Sequence, residues 1–462
     1  MKPIWVDECY TFYGVDHSSF ASFFDSILSG INFSPPLYFL VNWFANIWFT
    51  ISIEILRLES IFWTVIGLVL FYQTTRKTFG IGPTVISIML VVSQSNLLLD
   101  NSIEARHYTM FFASASWVFF TLSTFKCSSK HIPRKVHFLL FSSHLCLCLT
   151  HYVGIVFSIL VGVGFLFCKN DKQLIKRVPW SMLSCWALVL PVYLFLLQNQ
   201  SSHLSAWHRD DSLIALFKNY DYVGSVISLI LVPLTFLLFP LNKNSSLFST
   251  SSNDRLIVMI SILWFLTPVF FWLLANLSPL NLLKDRYFIP KEVGLLTILA
   301  FFCLRIGSLF RTTKKNELVM WSVPLLVVSV FSTFTIFLYH KRSSFGYSEN
   351  RNYHHWLSVD ERIEKLNSPI VLSGDPLFFP NAYRNNDQYF FRIDDENLIN
   401  VYSKFSSKIQ LVNPSQILAW DSFILIGDKN SFENLNLSSF LATEIGKVHE
   451  KLPLLIKKFE RI

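Results

Sequence analysis

The sequence predicts an all-α polytopic membrane protein of about nine to eleven spans, with a small α/β domain at its C-terminal end. Three observations predict it. The 462-residue chain is 52% hydrophobic, with 46 Phe, 13 Trp and 16 Tyr, and a mean hydropathy of +0.43; a soluble protein of this length would have to expose much of that surface. Apolar stretches recur along the chain from 61–72 to 318–339. Charged residues amount to only 15% and crowd into short loops and the C-terminal tail.

In chain order, the stretches near 83–99, 107–125, 180–197, 223–241, 256–276, 293–310 and 318–339 can each cross roughly 30 Å of hydrocarbon at about 1.5 Å per residue. Those at 61–72 and 137–150 are short for a crossing. The latter, with 152–168, also reads as one long helix broken at His151-Tyr152. Residues Pro35 to Ile53 are read as lying in the membrane boundary without crossing, because Tyr38, Asn42, Trp43, Asn46 and Trp48 suit an interfacial position. Residues 1–60 then form an outer loop with an interfacial helix, within a transmembrane domain of 1–342.

Orientation follows from the basic residues. With alternate loops assigned inside, those near 73–82, 126–137, 169–178, 242–255 and 305–317 hold 16 Lys plus Arg, against 7 in the opposite set. Lysine and arginine in short loops are retained in the cytoplasm, so the second set faces outward. That side then carries Asp7-Glu8, Glu54/Arg57/Glu59, Asp100/Glu104/Arg106, Asp210-Asp211 and Asp285-Arg286. The localisation expected is a multi-pass protein of a bacterial plasma membrane, with these clusters and the C-terminal domain outside the cytoplasm.

From about Ser343 the composition turns polar. Strand-like runs appear at Ile370-Val371-Leu372, Ile409-Gln410-Leu411-Val412 and Phe423-Ile424-Leu425-Ile426, two of them followed by turn signals at Gly374-Asp375-Pro376 and Gly427-Asp428. Residues 343–462 therefore read as a soluble extracytoplasmic α/β domain. The net charge of +8 reflects orientation in lipid, and no nucleic-acid partner is expected. The seven cysteines form no CxxC pair, so neither a disulfide framework nor a zinc site is expected; they read as small packing residues. Met1-Lys2-Pro3-Ile4 runs into a polar, acidic stretch and is not expected to act as a cleavable signal peptide.

The charged clusters are the candidates for chemistry, since ionised groups stay beside lipid only where they face water, a partner or a substrate. Adjacent carboxylates at Asp7-Glu8 suit a general base, and burial would raise their pKa toward a useful value. The same pair also reads as solvated charge. In SIEILRLES (52–60) and EARHY (104–108) a carboxylate lies close to a guanidinium; each is either an internal ion pair or an arginine held ready to grip a phosphate bidentately. Lys284 and Arg286, one residue apart beside Tyr287, call for an anion. His151 in Thr150-His151-Tyr152 reads as a helix cap or a catalyst. Asp210-Asp211 has no spaced acid set around it to make a metal site.

Taken in order, WVDE (5–8), PPLYFLVNWF (35–44), SIEILRLES, EARHY, THY (150–152) and DRYFIP (285–290) resemble the multispanning GT-C glycosyltransferases. The likeness is to the branch of dolichyl-phosphate-mannose protein mannosyltransferases and the aminoarabinose transferase, over about residues 5–310. It implies a GT-C-type helical bundle and an inverting enzyme that moves a sugar from a polyprenyl-phosphate carrier to a hydroxyl of a glycan, lipid or protein acceptor on the outer face. Carried over by position, it implies catalytic roles for Asp7 and Glu8, and a donor phosphate and sugar pocket from Arg57, Glu104, Arg106, Tyr108, Arg286 and Tyr287. His151 matches a position often occupied by His, and Lys284 joins the set as the second cation beside Arg286. No cofactor is implied; a divalent metal is compatible but unsupported. Two departures stand out: no membrane helix precedes Asp7, which reads as a late start codon or an incomplete copy, and Ser34 stands before the Pro-Pro pair where a basic residue is frequent. The competing classes are a transporter or lipid flippase and a catalytically incomplete GT-C-like protein, although the charges lie at one face rather than at mid-membrane and no repeated halves are found.

Overall fold

A computed structural model describes residues 6–29, 34–124, 133–167, 172–200, 213, 216, 252–277, 284–309, 368–373, 388–391, 409–411, 414–427, 437–449 and 452–462. Three short helices open the chain: α1 (Val6–Val15), α2 (Phe20–Leu28) and α3 (Leu37–Trp48). Helix α2 starts where Ser19 Oγ accepts from Ser22 N–H, leaving that orphan amide satisfied. Trp43 of α3 donates its indole N–H to the carbonyl of His17 at 3.0 Å, and Asn46 Nδ2 donates to that of Val15 at 3.3 Å, so α3 closes the end of α1. At 12 residues, α3 spans about 18 Å and is too short to cross a bilayer alone. Its inner face buries Tyr38, Phe39, Asn42 and Trp43, while Phe44, Ile47 and Trp48 stay exposed.

Helix α4 (Ile53–Phe79) runs 27 residues without interruption. Residues 53–60, expected as an outer loop, form its first two turns. The physical reason is local: Ser52 Oγ caps Ile55 N–H at 3.3 Å, Glu54 lies in the first turn where the helix dipole favours a carboxylate, and no proline interrupts the run. The helix stops at Gly80, whose φ of +89° only glycine adopts without strain.

Next come α5 (Ile81–Gln94) and α6 (Asn96–Ser102), separated at Ser95; α7 (Tyr108–Thr124); α8 (Arg134–Thr150) and α9 (Gly154–Phe167), separated at residues 151–153; and α10 (Lys172–Gln200). Helices α11 (Ser252–Phe265) and α12 (Thr267–Leu277) meet at a bend of 40°, where Pro268 cannot supply a helical N–H. A 3-10 turn (Asp285–Phe288) leads into α13 (Pro290–Leu309), which begins on a buried Lys291–Glu292 ion pair at 3.0 Å. Helix α4 packs along α7, α7 on α8, and α13 on α11 and α5. Their shared core holds Phe71, Phe111, Phe119, Phe157, Trp264 and Phe288.

Among the described residues, two helices are long and apolar enough to cross a membrane singly, Ile53–Phe79 and Trp180–Asn199, with a third if the bent α11–α12 pair is one span. This is fewer than the nine to eleven expected from sequence. The stretches near 83–99 and 137–168 are divided by breaks into helices of at most 17 residues, and those at 223–241 and 318–339 lie outside the described residues.

The C-terminal region forms a six-stranded sheet from β1 (Ile370–Ser373), β2 (Gln388–Phe391), β3 (Ile409–Leu411), β4 (Ser422–Gly427), β5 (Phe440–His449) and β6 (Leu452–Arg461), with a one-turn helix, α14 (Pro414–Ile417), before β4. The strand order is β3-β2-β1-β4-β6-β5. Strands β1 to β4 are parallel, and β5 and β6 extend the sheet antiparallel beyond β4. The three strands expected from sequence are β1, β3 and β4. Strand alternation puts Phe423 and Leu425 into the domain's own core with Phe440 and Phe459. Ile424 and Ile426, pointing the other way, join Ile370 in a cluster with Phe12, Phe23, Phe39 and Leu196. The sheet is thereby seated on α1 to α3 and α10. The described cysteines Cys146, Cys148, Cys185 and Cys303 are free thiols.

Candidate functional site

The first turn of α1 is fastened to α4 and to the loop between α6 and α7 by one carboxylate. Glu8 is fully buried. Its Oε1 accepts from Arg57 Nε at 2.8 Å and from the backbone N–H of Ala105 at 2.9 Å, and its Oε2 accepts from an Arg57 terminal nitrogen at 2.6 Å. This is the bidentate fork geometry that makes guanidinium–carboxylate pairs strong. Arg57 is therefore engaged by Glu8, as an internal ion pair. Ser60 Oγ, one helical turn on, donates to the carbonyl of Glu104 at 2.6 Å. Glu104 itself is buried. These bonds bring three separate sequence clusters to one place.

Asp7 stands one residue before Glu8 in the first turn of α1; its side chain lies outside the described residues, as does Asp210-Asp211. Because Glu8 reaches Ala105, the backbone of Asp7 is held close to the loop that carries Arg106.

Beyond that loop lies an aromatic and cationic nest. The guanidinium of Arg106 lies 5.8 Å from the centre of the Tyr108 ring, and that of Arg286 lies 5.7 Å from the same ring. The negative face of the phenol stabilises each cation. Arg106 is 8% exposed and Tyr108 1%. Arg286 is fixed at the backbone, its N–H donating to Asp285 Oδ1 at 2.7 Å. Two guanidiniums converging from α7's start and the 3-10 turn form a site suited to an anion with several acceptor oxygens.

His151 closes the nest. Its ring stacks on Phe111, with centroids 5.1 Å apart and planes 19° apart, and meets Tyr287 at 4.8 Å. Its Nδ1 accepts from Val153 N–H at 3.1 Å, holding the loop between α8 and α9. Burial, then the charges of Arg106 and Arg286, push its pKa down to about 3, so the ring is neutral and cannot supply a positive charge. Lys284 immediately precedes the 3-10 turn, half-exposed, and its carbonyl accepts from Tyr287 N–H at 3.0 Å.

Other residues of the same motifs, given no place in the pocket from sequence, also gather here. Glu59 is bound through Oε1 by the indole N–H of Trp63 at 2.6 Å, with Asn42 and Tyr38 beside it. Tyr38 is fully buried, and its ring meets that of His107 at 6.1 Å. The only sequence signal for them was their presence in the same short motifs as the arginines. Among the described residues, no group of three or more His, Cys, Asp and Glu is gathered as a metal cage.

The arrangement of helices and sheet has solved counterparts. The crystal structure of ArnT from Cupriavidus metallidurans bound to undecaprenyl phosphate matches with a TM-score of 0.58 at 12% identity, covering 92% of this chain and 87% of that one. The fold is the GT-C fold. The same enzyme in its apo state matches with a TM-score of 0.57, at the same identity and coverage. No protein-family model matches the sequence, and no curated protein does. At 12% identity the likeness is one of fold.

Proposed function

We propose that the protein is a membrane glycosyltransferase that takes a sugar from a polyprenyl-phosphate carrier on the outer face and passes it to an acceptor hydroxyl with inversion. The observation that carries this reading is the pair of guanidiniums, Arg106 and Arg286, that both lie within 5.8 Å of the centre of the Tyr108 ring, with Arg106 one residue from the amide that holds Glu8. A lipid-phosphate sugar brings its own leaving group, so the enzyme needs only a base for the acceptor and positive charge for the departing phosphate.

In this reading Asp7 takes the proton of the acceptor hydroxyl as its oxygen attacks the anomeric carbon. The bond from that carbon to the phosphate oxygen breaks, and the polyprenyl phosphate leaves with its charge stabilised by Arg106 and Arg286. Glu8 serves by position: its three accepted hydrogen bonds hold the turn that presents Asp7. Arg57 and Glu104 support the pocket from behind, while His151 and Tyr287 shape its wall. GT-C-fold neighbours include an enzyme crystallised with undecaprenyl phosphate, which supports a carrier of that class. The acceptor, whether glycan, lipid or protein, stays open.

The test is transfer of label from polyprenyl-phosphate sugars in membranes containing the protein. Loss of the base costs on the order of 10²- to 10⁴-fold in rate, so Asp7→Asn is expected to fall by that range and Arg286→Ala by about 10²-fold or more. An Asp7→Asn protein that is folded and turns over like the wild type overturns the assignment of the base. Movement of the lipid across the bilayer without transfer of its sugar would instead make the protein a flippase.

A further inference from the structure

His107 sits between Arg106 and Tyr108 and has been given no task. It is 1% exposed, and neither ring nitrogen has a hydrogen-bond partner. That is costly: a buried polar group without a partner forfeits the hydrogen bonds it had with water, and here there are two such atoms on one ring. Every neighbouring ring is placed to hold the imidazole by its faces and edges. Tyr108 lies 4.3 Å away, His151 5.2 Å and Tyr38 6.1 Å between ring centres. The packing therefore fixes the ring and leaves both nitrogens for something else.

What that is follows from the charge state. His107 lies in the loop before α7, and burial first, then Arg106, His151 and Arg286, hold its pKa well below the usual histidine range. A neutral imidazole has one N–H donor and one acceptor nitrogen. A phosphate oxygen offers acceptors only and would leave the second nitrogen orphaned. An ammonium offers donors only. A hydroxyl group both donates and accepts, and a sugar presents several on adjacent carbons.

We propose that His107 is a specificity-determining residue that hydrogen-bonds hydroxyl groups of the donor's sugar ring, beside the two guanidiniums that hold its phosphate. This rests on the glycosyltransferase reading above and deepens it by dividing the pocket into a phosphate part and a sugar part. A site built to bond a hydroxyl discriminates strongly against the analogue lacking it, because its own polar atoms are then left unpaired.

The experiment uses the full-length protein in lipid nanodiscs. His107→Phe keeps a planar ring and removes both nitrogens; His107→Gln restores one donor and one acceptor. The probes are undecaprenyl phosphate without a sugar, undecaprenyl-phosphate hexoses and pentoses, and singly deoxygenated versions of the best donor. His107→Phe is expected to lose about tenfold or more in kcat/KM on the best donor, with much of the loss recovered in His107→Gln. Its affinity for sugar-free undecaprenyl phosphate should match the wild type, which also shows that it is folded. At least one deoxy donor should narrow the gap between wild type and His107→Phe to within about threefold, the mark of a lost pairwise contact.

The inference is overturned if His107→Phe turns over the best donor like the wild type. It is equally overturned if the variant loses the same factor on every deoxy donor, or weakens sugar-free undecaprenyl phosphate as much as Arg286→Ala does. In each of those cases the glycosyltransferase reading survives. A wild-type protein that neither binds nor turns over any of these lipids overturns that reading and this one with it.

Discussion

Glu8 and Arg57 come from segments 49 residues apart and meet with the carboxylate at 0% and the guanidinium side chain at 13% exposure. Removing one partner of such a pair leaves a buried charge uncompensated and commonly costs about 3–5 kcal/mol, whereas replacing both by apolar side chains of similar volume can be neutral. Arg57→Met alone is therefore expected to lower the melting temperature in detergent markedly, and the double variant Glu8→Met/Arg57→Met to recover most of it. Equal melting temperatures for the single variant and the wild type would show that the pair does not hold α1. His151 makes a separate prediction through pH. Its folded pKa of about 3 lies below the unfolded value near 6.5, so as pH falls below about 6.5 the unfolded chain takes a proton that the folded chain refuses. Stability then drops toward acid by up to about 1.4 kcal/mol per pH unit from this group, and the drop ends near pH 3. His151→Asn, whose carbonyl can still accept from Val153 N–H, should show a shallower fall between pH 6 and 4 in thermal melts; an unchanged slope would remove His151 as the cause. The meeting of the motifs around Glu8, Arg57 and Ala105 was legible at this scale, since ionised groups in so apolar a chain have few partners besides one another. The partners were not: nothing in SIEILRLES says that Arg57 answers Glu8 rather than Glu54 or Glu59, and His107 reads in sequence as an ordinary residue at a helix start.

At the scale of elements, the helices of the bundle approach closely where side chains are absent. A Cβ on Gly67 would lie 2.5 Å from Phe112 of α7, and one on Gly294 would lie 2.6 Å from the backbone carbonyl of Ser261 in α11. Small residues at such crossings let helices in lipid gain van der Waals contact. The second site is the stricter, because a backbone oxygen cannot swing aside as a ring edge can. Gly294→Ala is expected to cost about 1–3 kcal/mol by forcing α13 from α11, read as a lower melting temperature, while Gly67→Ala should cost less because Phe112 can shift. A reversed order would mean that α4 and α7, not α11 and α13, form the tighter seam. Existence of the helices was legible from apolar runs. Their breaks were legible only in part: the one at His151-Tyr152 was read from the sequence, whereas Ser95 has neither Gly nor Pro beside it to announce a break. The sheet behaved similarly: β1, β3 and β4 stand out as Ile, Val and Leu runs, whereas β5 and β6 mix Glu444, Lys447, Lys457 and Lys458 into their alternation and read as polar tail.

For the whole molecule, the consequential contact is the seat of the C-terminal sheet on the helices that carry Glu8. One face of β4 supplies Ile424 and Ile426 to the same cluster as Phe12 of α1, Phe23 of α2 and Phe39 of α3, and both isoleucines are buried. The opposite face closes the domain's own core through Phe423 and Leu425. The sequence predicts a separate α/β domain after residue 343 but not where its strands rest, because a strand buried on both faces presents an unbroken apolar run that names no partner. The two faces can be separated by experiment. Ile424→Ala and Ile426→Ala each remove packing that typically contributes about 2–5 kcal/mol, and should loosen the sheet from α1 to α3 without emptying the domain core. Protease treatment of the double variant is then expected to release a folded C-terminal fragment faster than from the wild type, with sugar transfer reduced because α1, which presents Asp7, loses one of its supports. Phe423→Ala supplies the contrast: it should unfold the fragment itself, so that protease degrades the fragment instead of releasing it intact. If the double variant keeps wild-type protease resistance and transfer rate, the sheet's seat on α1 to α3 contributes nothing to the site, and the Glu8–Arg57 pair alone must position the first turn.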